Sequence, residues 1–239
     1  FGRPTYIPIG ASVPEQRDFV RSILCGETLR YAINTKRYFQ PYSLLRLRAY
    51  VAKFVTANMA LPWIVDEFGV KAVFMVRHPC AVVASQLVHG EWDDVNKSFC
   101  YHKALFKERP YLKALHNRIS THEEVLAFNW AVQNLIPLSS PHSDHWLTTT
   151  YESMVTNGHE ETERIFNYLE ESMPNHVVEK LQTPSATTVH ESNVSQGRNR
   201  LTGWRERLNT EQIDRILSVT HEAGIKMYTD ELLPVSSPT

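Results

Sequence analysis

Apolar positions recur along this chain with two different spacings, and these spacings predict its elements. From Pro14 to about Ile33, Phe19, Ile23 and Leu24 fall on one helical face, and Pro14 sits in a first turn that tolerates proline. Leu61 to Phe68 repeats the pattern, with Leu61, Ile64 and Val65 on one side, Pro62 in the first turn and Gly69 as a stop. Lys71 to Val76 (KAVFMV) is a nearly continuous apolar run, which predicts a strand covered on both faces, as in a parallel sheet. Helix follows from Pro79 to about Val88. Two or three helices fill residues 94–138, and His145 to Thr150 (HWLTTT) reads as the next strand. Helices are expected from about His159 to Glu171 and from Pro174 to Leu181. The last runs from Thr210, with Thr210-Glu211-Gln212 as cap and first turn, to about Gly224. Ala49 to Val55 is a short β-prone run. Residues 1–13, 35–48 and 183–200 read as loops, and the tail is Pro- and Ser-rich and expected to fray.

Strands and helices alternate, as they do in βαβ units. The expected class is α/β, a three-layer sandwich around a central parallel sheet. At 239 residues and 42% apolar the chain can bury one sizeable core, so residues 1–239 read as a single domain. The stretch 94–138 reads as a helical cap on the substrate side of that domain.

Charge narrows the function. A formal net charge of −1 does not suit a protein that coats nucleic acid, so any phosphate must be held by a few placed residues. No apolar run reaches about 18 residues, so no membrane span is expected, and no signal peptide is evident. Three cysteines, Cys25, Cys80 and Cys100, form no framework; a sparse, odd set suits a reducing compartment and a cytoplasmic location. Eleven histidines give no metal pattern: His142 and His145 have no cysteine nearby, and His116 and His122 are badly spaced for one helical face.

The chemistry concentrates where the KAVFMV strand ends. Ligands of open parallel sheets sit beyond the carboxyl ends of the strands. Arg77 is the first residue past that strand, Pro79 opens a helix whose free amides and positive end lie nearby, and Ser85 follows Arg77 by eight residues. An anion there could take a charged fork from Arg77 and a hydroxyl from Ser85. The same residues also fit an arginine capping a strand and a small serine packed in a helix.

The run Val73-Phe-Met-Val-Arg77-His-Pro79-Cys-Ala-Val-Val-Ala-Ser85 resembles the 3'-phosphate-binding segment of sulfotransferases that use 3'-phosphoadenosine-5'-phosphosulfate (PAPS). The resemblance implies a P-loop NTPase-like fold in which Arg77 and Ser85 hold the nucleotide's 3'-phosphate. Residues from Ala52-Lys53-Phe54 to Gly69 are similar to a strand and helix of bacterial members, which implies that Lys53 stabilises charge on the bridging oxygen. Phe128-Asn-Trp130 through Tyr151-Glu152 looks like the family's helix and Tyr-Glu strand end, which implies that Tyr151 lies against the adenine. Gln196-Gly-Arg198-Asn-Arg200 to Trp204 resembles the last nucleotide loop, with Arg198 as a second phosphate contact. Glu152 reads as an orienting group or a helix cap, and Trp204 as packing.

Two family elements have no counterpart. The glycine-rich phosphosulfate loop is absent, so the resemblance covers residues 49–225 and implies a fold missing its first strand and P-loop, truncated at its N-terminus. Val55 stands where many members carry the catalytic histidine, two residues after the lysine; the base is therefore unassigned, with His89 and His102 near the cap. The expected activity is sulfuryl transfer from PAPS, without metal, to a hydroxyl or amine on a small molecule or glycan. The alternative is a non-catalytic relative that binds nucleotide or a partner.

Overall fold

The computed structural model describes residues 4–27, 51–89, 92–100, 102–174, 177 and 199–235. Helix α1 spans Pro14–Leu24 and α2 spans Leu61–Phe68. Gly69 ends α2 at φ 59, a left-handed conformation that glycine adopts without a Cβ penalty. Strand β1 (Val73–Val76) leads into α3 (Pro79–Val88). Three helices follow: α4 (Lys103–Glu108), α5 (Pro110–Arg118) and α6 (His122–Leu138). Thr121 and Glu124 close a capping box at the start of α6, so two amides there have partners before the helix begins. Strand β2 (Leu147–Thr150) runs into α7 (Tyr151–Thr156), then α8 (Gly158–Leu169) and finally α9 (Thr210–Glu222).

The fold is α/β, with a parallel two-stranded sheet. Val73 pairs with Leu147, Phe74 with Thr148, Met75 with Thr149 and Val76 with Thr150. Parallel neighbours need a crossover, and here it is the whole stretch from α3 to α6. Within the stretch 94–138, α6 runs through the middle of the core and packs on α3 and α9. Leu126, Ala127, Phe128, Ala131 and Val132 of α6 have no exposed surface. Full burial of a side chain such as Phe128 or Leu126 contributes about 1.5–3 kcal/mol each. A second, smaller cluster joins Ile7 and Val20 to Ala57, Ala60, Trp63 and Ile64.

Several sequence expectations change, the first being that α1 ends at Leu24, with Cys25 as its cap, and does not run on to about Ile33. The strand at Ala49 to Val55 is not formed over residues 51–55, which have no ladder partner; Val51 and Val55 stand exposed. The KAVFMV strand is covered on one face only, since Val73 (38%) and Met75 (47%) are exposed while Phe74 and Val76 are buried. The reason is that α8 grips β2, through Glu161 on the Thr149 hydroxyl and Arg164 on the Thr148 carbonyl, and leaves the same face of β1 open. The cap of the last helix is Asn209, whose side chain accepts from the Gln212 amide at 2.9 Å. The tail is not frayed as far as residue 235: Ile225, Met227 and Tyr228 are buried, and the Val235 amide donates to the Met227 carbonyl at 2.9 Å. Among the described residues no helix is long and apolar enough to cross a membrane.

Candidate functional site

The register of the sheet creates the site. Val76 and Thr150 are partners, so the next residue of each strand, Arg77 and Tyr151, leaves the same carboxyl edge side by side. The Arg77 guanidinium lies 4.2 Å from the centre of the Tyr151 ring. Such a pair is worth about 0.5–2 kcal/mol, more as water is excluded. It orients the guanidinium without neutralising it. Arg77 makes no ion pair among the described residues, and its Nε is buried without an acceptor.

The backbone behind Arg77 is fixed from both sides. The peptide unit joining Arg77 to His78 has its carbonyl held by Trp130 Nε1 at 3.1 Å and its N–H held by Glu152 Oε1 at 3.0 Å. Glu152 is 1% exposed, and its other oxygen accepts from the Tyr228 hydroxyl at 2.9 Å. Burial, and then the Glu152 carboxylate, push the Tyr228 hydroxyl well above the usual tyrosine range. Glu152 is thus an orienting group, as expected, although the hydroxyl that caps α7 belongs to Thr150.

His78 organises the same corner. Its Nδ1 accepts from the Cys80 amide at 3.1 Å, so Nε2 carries the proton and donates to the Thr229 carbonyl at 2.9 Å. The ring stacks on Trp204 at 4.8 Å and meets Tyr228 edge-on at 4.9 Å. Burial lowers its pKa to about 4, so the imidazole is neutral at pH 7. This overturns the expectation of free amides at the start of α3. The His78 amide is taken by Glu152, Cys80 by the His78 ring, and Ala81 and Val82 by the His78 carbonyl. An anion at this edge would be held by side chains, with the helix end supplying only its field.

The other expected residues are spread more widely. Ser85 lies on α3, about 9 Å along the axis from Pro79, partly exposed on the face it shares with Val82 and Gln86. It makes no hydrogen bond to Arg77. Lys53 is exposed in an irregular segment and not at a strand end. Arg198 lies outside the described residues; Trp204, expected to anchor its loop, is buried at 2%. His89 follows the end of α3, and His102 is half-buried beside His116, with burial lowering its pKa. Among the described residues no group of three or more His, Cys, Asp or Glu could hold a metal ion. A cleft of about 290 Å³ between Gly10–Pro14, Arg17, Trp63 and Glu67 shares no residue with the sheet edge.

Sequence reading missed His78 and Tyr228. The Arg-His-Pro order was a usable signal for His78, because a side-chain acceptor just before a helix-opening proline is a capping position. Tyr228 carried none, standing past the last helix in a stretch read as tail.

Family models, curated proteins and solved structures gave no match to this chain.

Proposed function

We propose that this chain is a sulfotransferase-like protein that binds PAPS at the carboxyl edge of its parallel sheet and transfers the sulfuryl group to a hydroxyl or amine. The observation that carries the reading is the pairing of Arg77 with Tyr151, residues 74 positions apart that the register brings to one edge. A half-buried arginine with an orphaned Nε fits an incoming phosphate, which supplies the missing acceptor and the opposite charge. The ring beneath keeps the guanidinium aimed while that phosphate binds. Ser85 contributes a hydroxyl from further along α3, and Arg198 a second cation. The wider architecture proposed is the three-layer, P-loop NTPase-like sandwich, of which the two described strands are neighbours.

The chemistry is in-line displacement at sulfur. The acceptor oxygen or nitrogen attacks, the bond from sulfur to the 5'-phosphate oxygen breaks, and adenosine 3',5'-bisphosphate leaves with that electron pair. The acceptor's proton passes to a base that this edge does not supply. Positioning and charge stabilisation carry such a transfer, with Lys53 proposed to meet the charge on the leaving oxygen and no metal needed. The acceptor is a small molecule or glycan, and free cysteines suit a cytoplasmic protein; burial pushes the Cys80 and Cys100 thiols up to about 12.

One observation favours a second reading, a nucleotide binder without transferase activity. Three titratable groups behind the edge, His78, Glu152 and Tyr228, are buried and engaged in hydrogen bonds. None is free to take a proton from an acceptor.

The test is a melting experiment. Adenosine 3',5'-bisphosphate is expected to raise the melting temperature, 5'-AMP to do so much less, and Arg77→Ala to remove the difference. Equal shifts from both nucleotides would sink the 3'-phosphate site. Sulfuryl transfer to a panel of alcohols and amines then separates the two readings.

A further inference from the structure

The segment after α9 is built into the Arg77 edge. Tyr228 is 1% exposed and gives its hydroxyl to Glu152, and Thr229 gives its carbonyl to His78. Asp230 gives its carbonyl to Arg205, beside Trp204, and the Tyr228 carbonyl accepts from His221 Nε2 at 2.6 Å. The Tyr228 ring also meets Trp130 at 6.1 Å. Tyr228 therefore touches both groups that hold the Arg77–His78 peptide, Trp130 on its carbonyl side and Glu152 on its amide side. Glu152 belongs to the residue pair that carries Tyr151, so one carboxylate links both strand ends to this segment.

We infer that Tyr228, acting through Glu152, is a positioning residue for the Arg77–Tyr151 pair, and that residues 225–235 form the back wall of the anion site. The inference deepens the proposed nucleotide site and rests on it for the identity of the ligand, but the positioning itself does not need the ligand. A phenol donating to a carboxylate is a charge-assisted bond in a dry setting, strong and directional. It holds Oε2, which leaves Oε1 aimed at the His78 amide. Without it the carboxylate can rotate, the peptide loses one of its two anchors, and Arg77 loses its defined exit from the strand. Sites need their groups held to within about 0.5 Å, which is the task of such supporting bonds.

Tyr228→Phe keeps the ring and its contacts and removes only the hydroxyl. Two readouts are taken on the folded variant. The first, in the free protein, is the NMR contact between the Arg77 side chain and the Tyr151 ring, with exchange of the His78 amide. The second is the dissociation constant for adenosine 3',5'-bisphosphate. Tyr228→Phe is expected to weaken the ring contact, speed amide exchange and weaken nucleotide binding by about tenfold. Glu152→Gln keeps an acceptor for the His78 amide but replaces the charge-assisted bond to Tyr228 with a neutral one, and is expected to weaken the ring contact less than Tyr228→Phe does. It serves as the informative variant if Tyr228→Phe folds poorly, because a contact and an affinity both unchanged there would overturn the inference. An unchanged contact and an affinity within twofold of wild type in Tyr228→Phe would also overturn it. A wild type that binds no nucleotide while Tyr228→Phe still loses the contact would leave the positioning intact and remove the nucleotide reading.

Discussion

Arg77 follows one run that the sequence reads as a strand and Lys53 lies within another, and the structure treats these two basic residues in opposite ways. Arg77 leaves a paired strand, lies over Tyr151, and has both polar groups of its following peptide held by buried side chains. Lys53 sits in an unpaired, exposed segment, between Val51 and Val55 that are exposed as well. A charge becomes a defined binding group when its backbone and its stem are fixed. A lysine on an unpaired segment keeps its rotamers and its water shell, so it offers charge without direction.

The largest way to break this contrast is to remove the carboxylate behind Arg77. Glu152→Ala strands the His78 amide and the Tyr228 hydroxyl in the core, and each buried group left without a partner costs about 1–3 kcal/mol. A loss of about 2–5 kcal/mol is expected in urea unfolding. A loss under about 1 kcal/mol would mean that the edge is not rigidly held, and the contrast with Lys53 would fade.

Next comes pH. The His78 pKa falls from 6.5 free to about 4 in the fold, mainly through burial. The unfolded chain therefore takes up a proton before the native state does. Stability is full above about pH 6.5 and is lost as the pH falls toward 4, by at most about 3 kcal/mol in all. His102, lowered in the same direction by burial, adds to the same window. Unfolding free energies at pH 7 and pH 5 test this, and His78→Gln should flatten most of the slope. A slope that survives in the variant would assign it to other groups.

Smaller effects sharpen the comparison further. Ser85→Ala removes one neutral hydroxyl from the proposed phosphate site and should weaken adenosine 3',5'-bisphosphate by about 0.5–1.5 kcal/mol, read by calorimetry, with the melting point nearly unchanged. The smallest is Lys53→Ala, which should leave stability within about 0.5 kcal/mol of wild type, as for other exposed positions. The role proposed for Lys53 at the leaving oxygen predicts in addition that Lys53→Ala lowers turnover of an active preparation, and unchanged turnover would remove Lys53 from the proposed site.

Much of the local structure was legible in the chain itself. Pro14, Pro62 and Pro79 mark helix starts and Gly69 marks a stop, because each acts through its own backbone geometry. Arg77 stood out as the first residue past an apolar run that reads as a strand, whereas Tyr151 was singled out through the resemblance to the family's Tyr-Glu strand end. The faces of those strands were not legible. KAVFMV is apolar in every position after Lys71, yet Val73 and Met75 are exposed while α8 is held on the neighbouring strand β2. Ala49 to Val55 has strand propensity but no partner, and propensity alone does not make a ladder.

What the sequence determined by itself was therefore the set of elements with short-range causes, and the charge that a phosphate would seek. What only the tertiary structure decided was the company of that charge: Glu152, Trp130, Trp204 and Tyr228 gathered behind Arg77 from four separate parts of the chain. Hydrogen bonds between residues 53 to 76 positions apart leave no periodic trace, because their geometry is set by how helices and strands pack and not by the spacing of residues along the chain.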